Sequence, residues 1–154
     1  MEQVVAVKSF EMADVVKAVE DLDTAKTGAI SRADDMSDQN MVGFWVSASE
    51  VGSRDMLCLF RHDGDEGNNL TCVFSLNLPA PPEVGSLFLE ICNRWNAEDI
   101  MLTAAIVPEQ GVILKTTLLT AYPLAERDLL LWVGVAFRKA VRFCRFFEEE
   151  FDKL

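Results

Sequence analysis

The chain has 154 residues, half of them apolar, a formal net charge of −11 and a pI of about 4.4. That length suits one domain over residues 1–154 with a substantial core. So acidic a chain makes a poor nucleic-acid binder, because phosphate affinity comes from Lys and Arg; its longest apolar run, Leu129 to Phe137, falls far short of the ~20 residues that span a bilayer.

The first ten residues, MEQVVAVKSF, have neither the basic start nor the apolar run of a secretory signal, which points to the cytoplasm. Within them QVVAV reads either as a short strand or as a first helical turn. A helix is expected from Phe10 to about Leu22, since Met12, Val15, Val16, Val19 and Leu22 recur at helical spacing and Ser9 can cap the start. Asp23 to Asn40 is polar and acidic without a clean period. It reads mainly as a loop, with a short extended piece around Ile30.

Three strands follow, at Met41–Ala48, Met56–Arg61 and Leu70–Leu78. The second is apolar on both faces, which suits a central strand. Their short connections make an antiparallel meander. PAPPE breaks the sheet pattern, and Pro82 belongs at or near the first turn of the next helix. Val84, Leu87, Phe88, Ile91, Cys92 and Trp95 share one face of that helix. Two more strands, Met101–Val107 and Val112–Leu119, flank the turn PEQG, with Pro108 and Gly111 as punctuation. Pro123 opens a last helix that runs to about Phe151. The order α-β-β-β-α-β-β-α gives an α+β fold with a five-stranded antiparallel sheet.

The segment ICNRWNAEDI, Ile91 to Ile100, sets Asn93, Arg94 and Asn96 around a tryptophan. On a helical wheel Trp95 is a core anchor and both asparagines lie on the outer side. Asn tolerates the left-handed backbone and bonds local carbonyls, so the favoured reading is that Asn96 ends the helix while Asn93 is solvated or bonds the neighbouring loop. Polar recognition by Asn93 and Asn96 is the other reading.

Asn93, Trp95 and Asn96, the hairpin MLTAAIVPEQGVILKTTLL and the aromatic final helix together resemble the YbjN family, a bacterial family labelled a sensory transduction regulator. Family members have Asn-x-Trp-Asn at the end of the middle helix and an acidic Gly turn, matched here by Glu109, Gln110 and Gly111. The resemblance covers roughly the last two thirds of the chain; the acidic Asp23–Asn40 stretch departs from it. It implies a fold like that of the class I type III secretion chaperones, usually dimeric and polypeptide-binding; it does not imply an established catalytic activity.

The final helix carries two apolar stripes. Leu129, Val133, Ala136, Phe137, Ala140, Cys144 and Phe147 should cover the sheet. Leu131, Trp132, Val135, Phe143 and Phe146 form a second stripe, which suggests burial by another element or by a second subunit. A symmetric homodimer is the favoured reading. Arg127, Arg138, Arg142 and Arg145 lie along the remaining side, either as a solvated face paired with Glu148 and Glu149 or as a site for an acidic peptide or phosphate.

The four cysteines form no CxxC and His62 is the one histidine, so no zinc, other metal or cofactor site is expected. Cys58 and Cys72 can face each other across a hairpin as reduced core residues. HDGDEGNN, with Asp63, Asp65 and Glu66, lacks EF-hand spacing and reads as turn chemistry. Asp34, Asp35 and Asp38 read as solvated loop. No nucleophile elbow or phosphate-binding glycine loop is present. The expectation is a non-enzymatic protein-binding module, dimeric, with a partner protein or peptide and no membrane contact. The competing reading is a small-molecule sensor or enzyme whose pocket uses Asn93, Arg94 and the acids near Glu109.

Overall fold

The structure is a computed structural model that describes residues 7–8, 11–38, 40–63, 69–120 and 124–153. In chain order its elements are β1 (Val7–Lys8), α1 (Met12–Glu20), α2 (Thr24–Thr27), β2 (Ala29–Ala33), a 3-10 turn (Asp34–Met36), β3 (Met41–Ser47), a second 3-10 turn (Ser49–Val51), β4 (Met56–Asp63), β5 (Asn69–Ser75), α3 (Gly85–Glu98), β6 (Thr103–Val107), β7 (Gly111–Leu119), β8 (Leu124–Ala125) and α4 (Glu126–Asp152). The class is α+β with an antiparallel sheet, but that sheet has six strands, ordered β2-β3-β4-β5-β7-β6. β1 and β8 pair separately.

The sixth strand lies in the acidic stretch expected to be mainly loop. β2 pairs with β3 from Ala29↔Ser47 to Ala33↔Gly43. It is an edge strand whose Ala29, Ser31 and Arg32 are exposed, so it shows almost no hydrophobic alternation, and its pairing comes from the main chain. α1 is shorter than expected: the Glu11 N–H donates to the Asp14 carboxylate at 2.9 Å at its start. Ser9, Phe10, most of QVVAV, Asp65, Glu66 and Pro123 lie outside the described residues. Pro82 sits in a turn before α3 rather than in its first turn.

Strand register puts every even-numbered side chain of β3–β7 on one face. Phe44, Cys58, Phe74, Leu114 and Ala104 form one cross-strand row there, and Val42, Phe60, Cys72 and Thr116 the next. α4 lies across this face with α1 and α3 beside it. The stripe expected to cover the sheet is buried throughout, from Leu129 to Phe147. Phe137 meets Phe74 edge-on at 5.1 Å and stacks on Phe60 at 6.3 Å. The turn between β6 and β7 needs left-handed backbone at Glu109 and Gly111 (φ 71° and 79°). A Cβ at Gly111 would stand 2.1 Å from the Leu78 carbonyl oxygen, so only glycine fits.

Phe137 is fully buried between two strands and makes the central contact of the core. Phe137→Ala should therefore cost about 3–5 kcal/mol of unfolding free energy, read by urea denaturation.

Candidate interaction surface

The Asn–Arg–Trp–Asn segment is a clasp on the neighbouring strand. Asn96 does not end the helix, which continues to Glu98. Its side chain donates to the Ala104 carbonyl at 2.9 Å and accepts from the Ala104 N–H at 2.8 Å. Trp95 is buried and its indole N–H donates to the Leu102 carbonyl at 2.8 Å. Asp99 accepts the N–H groups of Met101 and Leu102, each at 2.9 Å, and pairs with Lys139 of α4. Because β6 residues alternate in facing β7, Leu102 and Ala104 direct their N–H and C=O outward. Those outward groups are the ones the end of α3 satisfies, so the edge from Leu102 to Ala104 is closed by side chains.

Burial works to raise the Asp99 pKa, but the Lys139 hydrogen bond and the two backbone donors outweigh it and hold the carboxyl below the ordinary aspartate range. Arg94 is engaged by Glu90 at 2.8 Å and by Glu150 at 2.7 Å. Asn93 is exposed. The polar groups suggested for a small-molecule pocket therefore do not converge.

Of the second stripe on α4, much is packed within the chain. Phe143 is fully buried and meets Trp95 edge-on at 5.2 Å. Phe146 is half-buried against Trp95 at 5.6 Å, and Trp132 is half-buried with its ring 6.3 Å from Phe60. Val135 is half-buried. Leu131 alone of the five is open, at 63 % exposure. Arg138 and Arg142 are exposed and make no ion pair among the described residues, while Arg145 donates to the Val51 carbonyl.

The odd-numbered face of the sheet carries no helix among the described residues. Trp45, Leu57, Ser75, Ile113 and Ala105 form one row across five strands, and Gly43, Leu59, Val73, Lys115 and Thr103 the next. Met36 of the first 3-10 turn reaches over the edge of this face, close enough that a Cβ on Gly43 would lie 3.1 Å from it. Trp45 is 49 % exposed, and Leu57, Leu59, Val73 and Ile113 are half-buried. From Met41 to Arg61 and from Thr71 to Leu119, the strand positions of this face hold Arg61 and Lys115 and no carboxylate. On a chain with 25 acids, that is a surface where an acidic neighbour meets little local repulsion. Sequence reasoning missed it, although the two-sided apolarity of β4 was its signal.

The cysteines are structural. Cys58 and Cys72 face each other as free thiols with Sγ atoms 3.7 Å apart. Burial pushes the Cys92 thiol up to about 11 and raises those of Cys58 and Cys144, so these thiols stay protonated near neutral pH. His62 lies 3.2 Å from the Thr120 hydroxyl. Asp34 is exposed and pairs with Arg32 at 3.6 Å.

Asn96→Ala should cost about 1–3 kcal/mol by urea denaturation, because it strips both outward bonds from Ala104. Asn96→Asp should cost a similar amount, since it keeps the acceptor but sets an oxygen against the Ala104 carbonyl. A carboxylate with a lowered folded pKa stabilises at pH above its unfolded value and loses that contribution as pH falls through the folded one. Wild-type stability should therefore fall more steeply below about pH 4 than that of Asp99→Asn, as followed by thermal melts at stepped pH.

No curated protein matches the chain. Among the described residues, no helix is long and apolar enough to cross a membrane. Residues 39–154 match the family model YbjN, described as "Putative bacterial sensory transduction regulator", a span that begins just before β3 and takes in the uncovered sheet face, the clasp and α4. The chain belongs to the YbjN family.

Proposed function

We propose that this chain is a non-enzymatic, cytoplasmic regulatory adaptor that binds protein and acts as a homodimer, with the odd face of the sheet as the surface two copies share. The observation that carries this reading is the apolar side chains of Trp45, Leu57, Leu59, Val73 and Ile113 on a face whose strand positions from Met41 to Arg61 and from Thr71 to Leu119 hold no carboxylate. An antiparallel sheet with one free face normally alternates apolar inward with polar outward, and this one does not. Contiguous exposed apolar surface of this kind marks an interaction site. The family description supports a regulatory rather than a catalytic role.

Five strands at ~4.8 Å spacing and three cross-strand rows give the face roughly 500 Å² in projection. Coverage by a second copy then gives a contact at the low end of specific interfaces, one that forms reversibly with concentration. Lys115 and Arg61 are few enough to be offset across a two-fold axis.

Sedimentation equilibrium over a concentration series tests the dimer. The wild-type mass should rise toward twice that of one chain, and Trp45→Glu should stay at one chain while keeping its thermal melting point. A wild type that remains a monomer, or a Trp45→Glu variant that still dimerises, overturns the reading. The exposure of Leu131 favours a second one, with the dimer contact on the outer stripe of α4. Dimer loss in Leu131→Asp with an intact dimer in Trp45→Glu moves the contact there. Trp132→Asp should instead lower the melting point by several degrees, because it places a charge beside Phe60 in the core.

A further inference from the structure

β7 is longer than its outer neighbour. β6 begins at Thr103, opposite Lys115, while β7 continues to Leu119. Val112 exchanges bonds with Leu76 and Leu78 on the β5 side. By alternation, Lys115, Thr117 and Leu119 turn their N–H and C=O groups the other way. Lys115 meets Thr103 there, but among the described residues no bond is made to the outward groups of Thr117 and Leu119. The outward groups of Leu102 and Ala104 are met by the clasp from α3, and those of this overhang are not.

An open depression of about 600 Å³ lies beside the overhang, lined on one side by Met101, Leu118 and Trp132 and on the other by Lys115 and Thr117. Ile100 is fully exposed and Leu119 is 72 % exposed at its margins. Lys115 makes no ion pair among the described residues.

We propose that the β7 overhang binds a short extended segment of another protein, added antiparallel to β7 in line with β6, whose signature is an apolar residue followed by an acidic one. The register dictates that signature. The residue opposite Leu118 points to the helix side, against Leu118 and Trp132, and is apolar. The next residue lies opposite Thr117 on the odd face, diagonal to Lys115, within reach of its ammonium, and is acidic. Main-chain bonds to Thr117 and Leu119 supply the general affinity, and these two side chains supply selectivity. The segment ends there, because Leu102 occupies the following position. This site rests on the protein-binding reading and names its partner class; it shares Lys115 with the proposed dimer face and otherwise lies beyond the row of Trp45, Leu57 and Ile113.

The test is fluorescence anisotropy with the labelled peptide Ser-Val-Thr-Leu-Glu-Gly-Ser on the full chain. Saturable binding is expected, weakened about tenfold by Thr117→Pro, which removes an outward N–H that the fold does not use. Lys115→Glu should weaken it about fivefold, and exchange of the peptide Glu for Lys should do the same to wild type. Methylating the peptide backbone amides must also abolish binding to the unaltered protein, which keeps the test valid should Thr117→Pro fail to fold. No saturable binding, or binding indifferent to amide methylation, overturns the proposal. The same titration on Trp45→Glu separates the two readings. Peptide affinity should be unchanged in the monomer, so a lost dimer with retained peptide sinks only the dimer, and a lost peptide with an intact dimer sinks only this site.

Discussion

The seating of α4 on the even face of the sheet governs everything else. A helix of 27 residues crosses the strands and sets Phe137 between Phe60 and Phe74. Close-packed aromatic contacts of this kind leave no room for a second helix between α4 and the sheet, so α1 and α3 lie beside α4 instead of beneath it. All three long helices are then committed to one side of the sheet. Among the described residues the other side carries no helix, and its apolar row is left open by where the helices went. A two-layer fold with one bare apolar face gains free energy in water from whatever covers that face.

Closure of the sheet edge follows from the same arrangement. α3 packs beside α4 through Trp95, Phe143 and Phe147, which brings its last turn level with the outer strand. From there Trp95, Asn96 and Asp99 meet the outward groups of Leu102 and Ala104, and the Asp99–Lys139 pair ties the clasp back to α4. A free edge invites uncontrolled strand addition, and side-chain capping is a way to prevent it. Capping stops at Thr103 only because β6 stops there. The overhang on β7 is a part of this edge that the helix does not cap.

Most of the fold was legible in the sequence because its strands and helices carry clean periods. The buried stripe of α4 was read residue by residue, and five of the six strands were placed within a few residues. β2 was legible only as a short extended piece around Ile30, not as a sixth strand of the sheet, because an edge strand with three exposed side chains has no alternation to show. The asparagines misled for a geometric reason. A helical wheel reports direction relative to the helix's own apolar face and is blind to a strand that returns alongside the helix end. Asn96 looked outward and was met there by Ala104. The second stripe of α4 failed to reveal its partner in the same way. Phe143 and Phe146 were correctly seen as needing cover, but the cover is Trp95 from the same chain. An apolar stripe states a demand for burial and does not say which neighbour meets it.

The bare face was legible in principle, since β4 alternates between two apolar sets, Met56, Cys58 and Phe60 against Leu57 and Leu59. A strand buried on one side only has no use for Leu57 and Leu59. Charge points to the same face independently. Most of the acids of the described residues lie in loops, on α1 and α3, and at both ends of α4. The strand segments of the odd face from Met41 to Arg61 and from Thr71 to Leu119 received none of them. A net charge of −11 keeps such chains apart in every orientation that sets acids against acids. Under the dimer reading proposed above, repulsion of this kind selects the approach as much as attraction does, and it favours contact through the apolar row of Trp45, Leu57 and Ile113.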